Sequence, residues 1–240
     1  MQPIIGILFG ATLVTGIALG TRLLWLHRQT RGIPELVIGL AALCTCVSGV
    51  VRAVLLNLGD DASPLLTQAV ATLFSALFAA APIGMVLGTW KVFRPDDRWA
   101  AGLAWSLALV LALTVPPLGF APEARSLVLL SAATVISVWT MVEALMHYSK
   151  LRRRMRLGLA DPVTAAQFLT WGLGMGCNSV SRVLTLGFMA FTNLEPMQTG
   201  WFMLPVALLG FVTLACLYAA FFPPLALQDW LSAREAPAEA

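Results

Sequence analysis

The chain has very few charged residues, and this scarcity excludes a water-soluble protein. Only 11% of its 240 residues are Asp, Glu, Lys or Arg, whereas 59% are hydrophobic and the mean hydropathy is +0.84. A soluble domain of this length needs far more charge to cover its surface. The solvent for most of this chain must therefore be a lipid bilayer.

Several kinds of chemical motif are also missing. The four cysteines, Cys44, Cys46, Cys177 and Cys216, all fall inside apolar segments, which favours buried thiols over an extracellular disulfide or a metal site. The sequence contains no phosphate-binding loop, nucleophile elbow, zinc helix motif or pair of catalytic carboxylates. We therefore expect no enzymatic activity, no cofactor and no bound metal.

Seven long apolar segments are present instead. Each reaches the length of about 20 residues that a helix needs to cross about 30 Å of hydrocarbon. They are apolar on all sides rather than alternating with a period of two, which excludes a closed barrel. We predict an all-α integral membrane protein in which residues 1–224 form one seven-transmembrane-helix bundle. The predicted spans are residues 3–26, 34–57, 65–90, 99–118, 125–149, 164–190 and 199–222.

The basic residues indicate the orientation of this bundle. Lys and Arg cluster after the first, third and fifth segments, whereas the other connections hold a single basic residue, Arg125. Loops rich in Lys and Arg stay in the cytoplasm. The N-terminus is therefore predicted outside and the C-terminus in the cytoplasm. The first segment has no basic residue before it and is long for a signal peptide, so we interpret it as a retained helix.

Two cytoplasmic features follow from this orientation. The basic loop at residues 150–156 offers a surface for a cytoplasmic partner or for anionic lipids. It has no accompanying aromatic platforms, and we expect no nucleic-acid binding. Residues 225–240 are predicted to form a short interfacial helix followed by a disordered tail.

A weak internal sequence similarity suggests a 3+1+3 arrangement. Residues 48–52 of the second segment, Ser-Gly-Val-Val-Arg, resemble residues 178–182 of the sixth, Asn-Ser-Val-Ser-Arg. Each follows a basic loop with a proline near the helix start, Pro34 or Pro162. A duplicated three-helix unit, as in small transporters built from parallel repeats, would explain this similarity. Similarity over five aligned positions also arises by chance.

Three ionisable residues lie deep within the spans, namely Arg52, Glu143 and Arg182. Each costs about 2.5–3.5 kcal/mol to insert at a helix centre, so such residues mark functional sites. Arg182 belongs to a polar stripe on one face of the sixth helix, which should look into the bundle. The stripe comprises Gln167, Trp171, Gly174, Asn178, Arg182 and Thr185.

The two arginines have a functional and a structural interpretation. Both fall in the outer half, where two guanidinium groups could bind a carboxylate, a phosphate or a lipid headgroup. Alternatively, Arg52 extends to its nearby helix end. Arg182 could then cap helix carbonyl groups or pair with one of four acidic residues of the outer side, namely Glu195, Glu123, Asp60 and Asp61.

Glu143 shares a face of the fifth helix with Thr140 and His147. A carboxylate and an imidazole four residues apart could relay protons or take part in a metal site, although two ligands alone do not make one. The alternatives are an ion pair with a cation of the inner loops and a protonated carboxyl bonded to a neighbouring helix.

Known seven-helix families match this chain in topology. Microbial rhodopsins and G-protein-coupled receptors share the helix number and orientation, but residues 199–222 contain no lysine for a retinal Schiff base. The segments Arg28–Leu36 and Gly158–Pro162 resemble a group of uncharacterised bacterial seven-helix membrane proteins. This resemblance implies a bacterial inner membrane location and no specific activity.

We expect a receptor-like or sensor-like protein that binds a small amphiphile, lipid or anion in the outer half of the bundle. The candidate ligand-binding residues are Arg52, Arg182, Asn178, Trp171 and Glu143. One alternative is a small solute carrier of 3+1+3 architecture. The other is a ligand-free scaffold or subunit that assembles through small residues four apart, such as Gly84 and Gly88.

Overall fold

The computed structural model describes residues 2–58, 63–115, 122–192 and 200–223. Seven α-helices account for nearly all of these residues, which confirms the predicted helix number. The predicted interfacial helix and tail at residues 225–240 lie outside the described residues. The helices are α1 (Gln2–Thr30), α2 (Ile33–Asn57), α3 (Pro64–Phe93), α4 (Arg98–Leu113), α5 (Pro122–Met155), α6 (Pro162–Thr192) and α7 (Gly200–Phe221).

Local sequence explains where several helices begin. The Ser63 hydroxyl accepts a hydrogen bond from the Leu66 N–H at the start of α3. Asp161 caps α6 by accepting bonds from the N–H groups of Val163 and Thr164 at 3.1 and 3.0 Å, as its place before Pro162 suggests. This cap fixes the start of the helix that carries Arg182.

The fourth helix is shorter than the sequence suggests. Its predicted span runs to residue 118, but α4 ends at Leu113. The helix stops shortly before Pro116 and Pro117, because a proline disfavours helical geometry in the residue preceding it. Hydropathy alone does not detect this stop, because the residues after Leu113 remain largely apolar.

Six helices form a closed ring, and the fourth lies outside it. Around the ring, each helix packs on the next in the order α1, α2, α3, α5, α6, α7, and α7 returns to α1. Helix α4 packs only on α3 and α5. The first three helices and the last three therefore form two halves that meet along two seams, α3 with α5 and α1 with α7.

Glycines allow close approach at several ring contacts. A Cβ added to Gly84 would lie 3.0 Å from both the Ala41 Cβ and the Val37 carbonyl oxygen of α2. A Cβ at Gly174 would lie 2.9 Å from the Cβ of Cys216 on α7. Gly10, in contrast, has open space around it. The predicted pair Gly84 and Gly88 thus serves packing of α3 on α2 within the bundle.

Five helices are long and apolar enough to cross a membrane: α1, α2, α3, α5 and α7. Helix α4 is apolar but has only 16 residues, and α6 is long but carries the polar stripe. Large apolar side chains cover the outside of the bundle; Ile7 is 71% exposed and Phe191 is 91% exposed. These are features of a multi-pass α-helical membrane bundle.

Burial is uneven along the bundle axis. We call "basic end" the end at which α1, α3, α5 and α7 finish and at which most Lys and Arg residues lie. In α3 the buried residues begin only at Ala79, and residues 3–15 of α1 include no buried residue. In α1 and α3, the described residues toward the basic end are therefore more buried than those toward the opposite end.

Candidate functional site

A cavity of about 160 Å³ lies at the centre of the ring. All six ring helices contribute to its wall, and α4 does not. Most of the wall is apolar, with Leu19, Ile38 and Met175 among its larger side chains. Its polar residues are Thr12, Thr45, Ser137, Asn178, Arg182 and Thr213.

Arg182 is the only charged residue on the cavity wall within the described part of the chain. It lies ten residues before Thr192, the end of α6, so its Cα is about 15 Å from that end. Its Nε atom is buried and has no hydrogen-bond partner, and the side chain forms no ion pair within the described residues. The residue as a whole is only partly buried, and its Nε–H is a donor available to an acceptor in this cavity.

The acidic residues of the described region lie elsewhere. The described carboxylates, Glu35, Asp96, Asp97, Glu143 and Asp161, all lie in the half of the bundle toward the basic end. The four carboxylates considered as partners of Arg182 have side chains outside the described residues.

Asn178 lies one helical turn from Arg182 and borders the same cavity. Its side-chain amide donates a hydrogen bond to the Ser137 hydroxyl on α5 at 2.9 Å, and Ser137 donates to the Ala133 carbonyl oxygen on its own helix. The Thr45 hydroxyl likewise donates to a carbonyl of its own helix. The donors left for a ligand are therefore the Arg182 guanidinium and the second N–H of the Asn178 amide.

An aromatic cluster separates the cavity from the basic end. We call it the aromatic plug, and it consists of Phe93, His147, Phe168, Trp171 and Phe221. Trp171, a predicted ligand-binding residue, is 5% exposed and lies in this plug rather than on the cavity wall. The Trp171 Nε1 and the His147 Nδ1 are buried without a hydrogen-bond partner.

Glu143 lies near the basic end, and Arg94 at the C-cap of α3 binds it. The Arg94 Nε donates to both carboxylate oxygens at 3.0 and 3.1 Å, and the Trp139 indole donates to one of them at 3.3 Å. The hydrogen bond to Glu143 raises the pKa of the Arg94 guanidinium. The predicted alternative in which Glu143 pairs with a cation of the basic loops is thus confirmed.

The other seam also carries an arginine toward the basic end. The Arg22 guanidinium on α1 donates a hydrogen bond to the Tyr218 hydroxyl on α7 at 3.1 Å and lies 4.1 Å from the centroid of the Phe222 ring. Sequence reasoning missed this contact. The available signal was Tyr218 itself, because it is one of only two tyrosines and sits in an otherwise apolar span.

Arg52 is not brought together with Arg182. Its guanidinium lies 5.3 Å from the Phe74 ring centroid on α3, and the residue does not border the cavity. Among the five predicted site residues, only Arg182 and Asn178 share a site. The other three residues do not border the cavity, and their ligand-binding role stays a prediction.

In the described part of the chain, no three His, Cys, Asp or Glu residues come together to form a metal site. The comparisons with protein-family models, with curated proteins and with solved structures found no match. Any functional conclusion must therefore come from the cavity and its surroundings.

Proposed function

We propose that this chain is a seven-span protein of a bacterial inner membrane with its basic end in the cytoplasm. Ten of its 15 Lys and Arg residues belong to the three connections at that end or to the helix ends beside them. In this arrangement α4 and α6 also cross the membrane. The polar stripe that makes α6 less apolar than the others faces the interior of the ring rather than lipid.

Within this bundle, the function that the geometry supports best is the binding of a small anion by a receptor-like or sensor-like protein. One observation carries this proposal, namely the Arg182 guanidinium on the wall of a central cavity without a counter-charge among the described residues. An anion in the cavity would neutralise it through charge-assisted hydrogen bonds. A cytoplasmic partner at residues 150–156 could read out occupancy of the site.

The proposal can be tested with gently purified protein in nanodiscs. Native mass spectrometry would show whether a small mass travels with the protein, and a panel of inorganic and organic anions would be screened for thermal stabilisation. We expect stabilisation by at least one anion that disappears in Arg182→Gln. A protein that no anion stabilises, or whose response is the same in Arg182→Gln, would contradict the proposal.

Arg52→Gln is the matched variant. Arg52 is also a guanidinium within a span, but it lies against Phe74 and outside the cavity. We expect anion binding to persist in this variant. If both variants abolish binding equally, the two-arginine site predicted from sequence is correct and the single-arginine cavity is wrong.

A second candidate function is that of a small solute carrier, and the contacts along the two seams favour it. Each seam has a polar contact in its half toward the basic end, Arg94 with Glu143 and Arg22 with Tyr218. In the opposite direction, residues 3–15 of α1 and residues 64–78 of α3 include no buried residue. A carrier that is open to one side only would have this arrangement, with the halves of a 3+1+3 repeat rocking about the cavity. Uptake of an anion into sealed vesicles, lost in Arg182→Gln, would favour the carrier over the receptor.

A further inference from the structure

The binding proposal, on which this inference rests, names only a small anion. The size, charge and hydrogen-bond donors of the central cavity narrow the ligand to a smaller chemical class. We propose that the cavity takes a monocarboxylate with a compact apolar body of about six to nine non-hydrogen atoms. Three independent properties of the cavity wall lead to this ligand class.

The first property is charge. Among the residues that the structure describes, Arg182 is the single ionised group on the wall, and none of the described carboxylates borders the cavity. A ligand with one negative charge leaves the site neutral. A ligand with two negative charges would keep one uncompensated charge in a region of low dielectric constant, which is strongly unfavourable.

The second property is the number of hydrogen-bond donors. The Arg182 guanidinium presents a planar fork of N–H groups, and Asn178 adds one N–H beyond the bond to Ser137. The fork matches the two oxygens of a carboxylate. The Ser137 and Thr213 hydroxyls already donate to carbonyl groups, with Thr213 lying 3.2 Å from the Gly174 oxygen, so a phosphate would retain unsatisfied oxygens.

The third property is the volume and the apolar lining. A cavity of about 150 Å³ lined by aliphatic residues holds a benzene molecule, and the present one measures about 160 Å³. Leu19, Ile38 and Leu214 would contact the apolar body. A phospholipid, a nucleotide or a long fatty acid is larger than this volume. The lipid alternative considered from sequence is thus disfavoured in comparison with a small organic acid.

Binding of radiolabelled benzoate to the full chain in nanodiscs tests this assignment. Benzoate combines one carboxylate with a ring of suitable size. Benzyl alcohol tests whether the ligand needs a negative charge, and inorganic phosphate tests whether the anionic group must be a carboxylate. Decanoate tests whether a longer apolar body is accepted. We expect saturable benzoate binding that Arg182→Gln weakens by about tenfold or more. Benzyl alcohol, phosphate and decanoate should compete at least tenfold less well than unlabelled benzoate.

A second variant tests the volume while keeping the guanidinium. Gly210 borders the cavity, and a Cβ added there meets no atom within 4 Å. Gly210→Leu should therefore fold, lose benzoate binding and retain binding of formate. Unchanged benzoate affinity in Gly210→Leu, or equal competition by benzyl alcohol, would overturn the assignment.

The two proposals fail in different ways. If phosphate or decanoate binds in a manner that needs Arg182 and benzoate does not bind, the ligand class is wrong and the anion site remains. If no anion shows binding that depends on Arg182 in a variant that still folds as a monodisperse protein, both proposals are wrong.

Discussion

Arg94 and Glu143 join α3 to α5 at the basic end through one guanidinium N–H shared between two carboxylate oxygens, at 3.0 and 3.1 Å. The Glu143 side chain is 5% exposed and the Arg94 side chain is 29% exposed. The carboxylate is therefore nearly excluded from solvent, whereas the arginine is partly exposed. The stability of this seam thus depends on Arg94 staying in place.

Glu143→Gln should lower the thermal unfolding temperature. Loss of the carboxylate charge removes a buried ion pair, which costs about 3–5 kcal/mol at a fully buried site and about 1–3 kcal/mol here, because Arg94 can turn toward water. Tryptophan fluorescence during heating in a fixed detergent measures the shift. Asp97→Asn is the control, because Asp97 also binds Arg94 but is 41% exposed, and its loss should cost less than about 1 kcal/mol. Equal shifts in the two variants would contradict this ranking.

Asp161→Ala should destabilise the start of α6 in a manner that depends on pH. The hydrogen bond from the Thr164 side chain, followed by the backbone N–H groups of Thr164 and Val163, lowers the pKa of Asp161. A lowered pKa in the folded state means that the stabilisation is complete above the unfolded pKa of about 3.9 and is lost as the pH falls below it. The variant should therefore be less stable by about 1 kcal/mol at pH 7 and should approach the wild type near pH 3. Unfolding temperatures measured across this range would test the prediction, and a difference that grows toward low pH would contradict it.

Gly174→Ala should weaken the contact between α6 and α7. The added Cβ would lie 2.9 Å from the Cys216 Cβ and 3.1 Å from the Thr213 carbonyl oxygen, so one of the helices must move. We expect a loss of about 1–3 kcal/mol in unfolding free energy. Gly10→Ala is the matched control, because its Cβ meets nothing within 4 Å. Unfolding temperatures of the two variants test the prediction; equal values would mean that the close approach at Gly174 is not needed.

A cross-link across the α3–α5 seam would distinguish the receptor hypothesis from the carrier hypothesis. The Thr89 and Thr140 hydroxyl oxygens lie 2.6 Å apart, so cysteines at both positions in a chain without its native cysteines should form a disulfide. If the seam must open for transport, oxidation should stop anion uptake into vesicles and reduction should restore it, with binding retained. Uptake that continues after complete oxidation would exclude opening of this seam.

The helix number and most helix starts could be predicted from sequence, because apolar length, prolines and caps are local signals. The ends were harder to predict. Helix α5 continues to Met155, beyond the predicted end at residue 149, because Lys and Arg remain helical while they reach the aqueous surface. Hydropathy marks where the hydrocarbon stops, and a helix can extend further.

The candidate site was only partly predictable. The spacing of Asn178 and Arg182 places both on one face of α6, and that face borders the cavity. Periodicity does not give the rotation of α2 relative to α6, however, and Arg52 lies against Phe74 instead of beside Arg182. The choice of Arg94 among several basic residues as the partner of Glu143 likewise depends on tertiary packing.

The early end of α4 has a consequence for the surrounding lipids. Its 16 residues span about 24 Å, whereas a typical hydrocarbon core is about 30 Å thick. Helix α4 lies outside the ring against α3 and α5. In the proposed seven-span arrangement, the bilayer beside that seam would therefore thin locally, or the helix ends would draw headgroups inward. Acyl-chain length thus becomes a physical variable acting on this seam: thin membranes relieve the mismatch at α4, and thick membranes increase it.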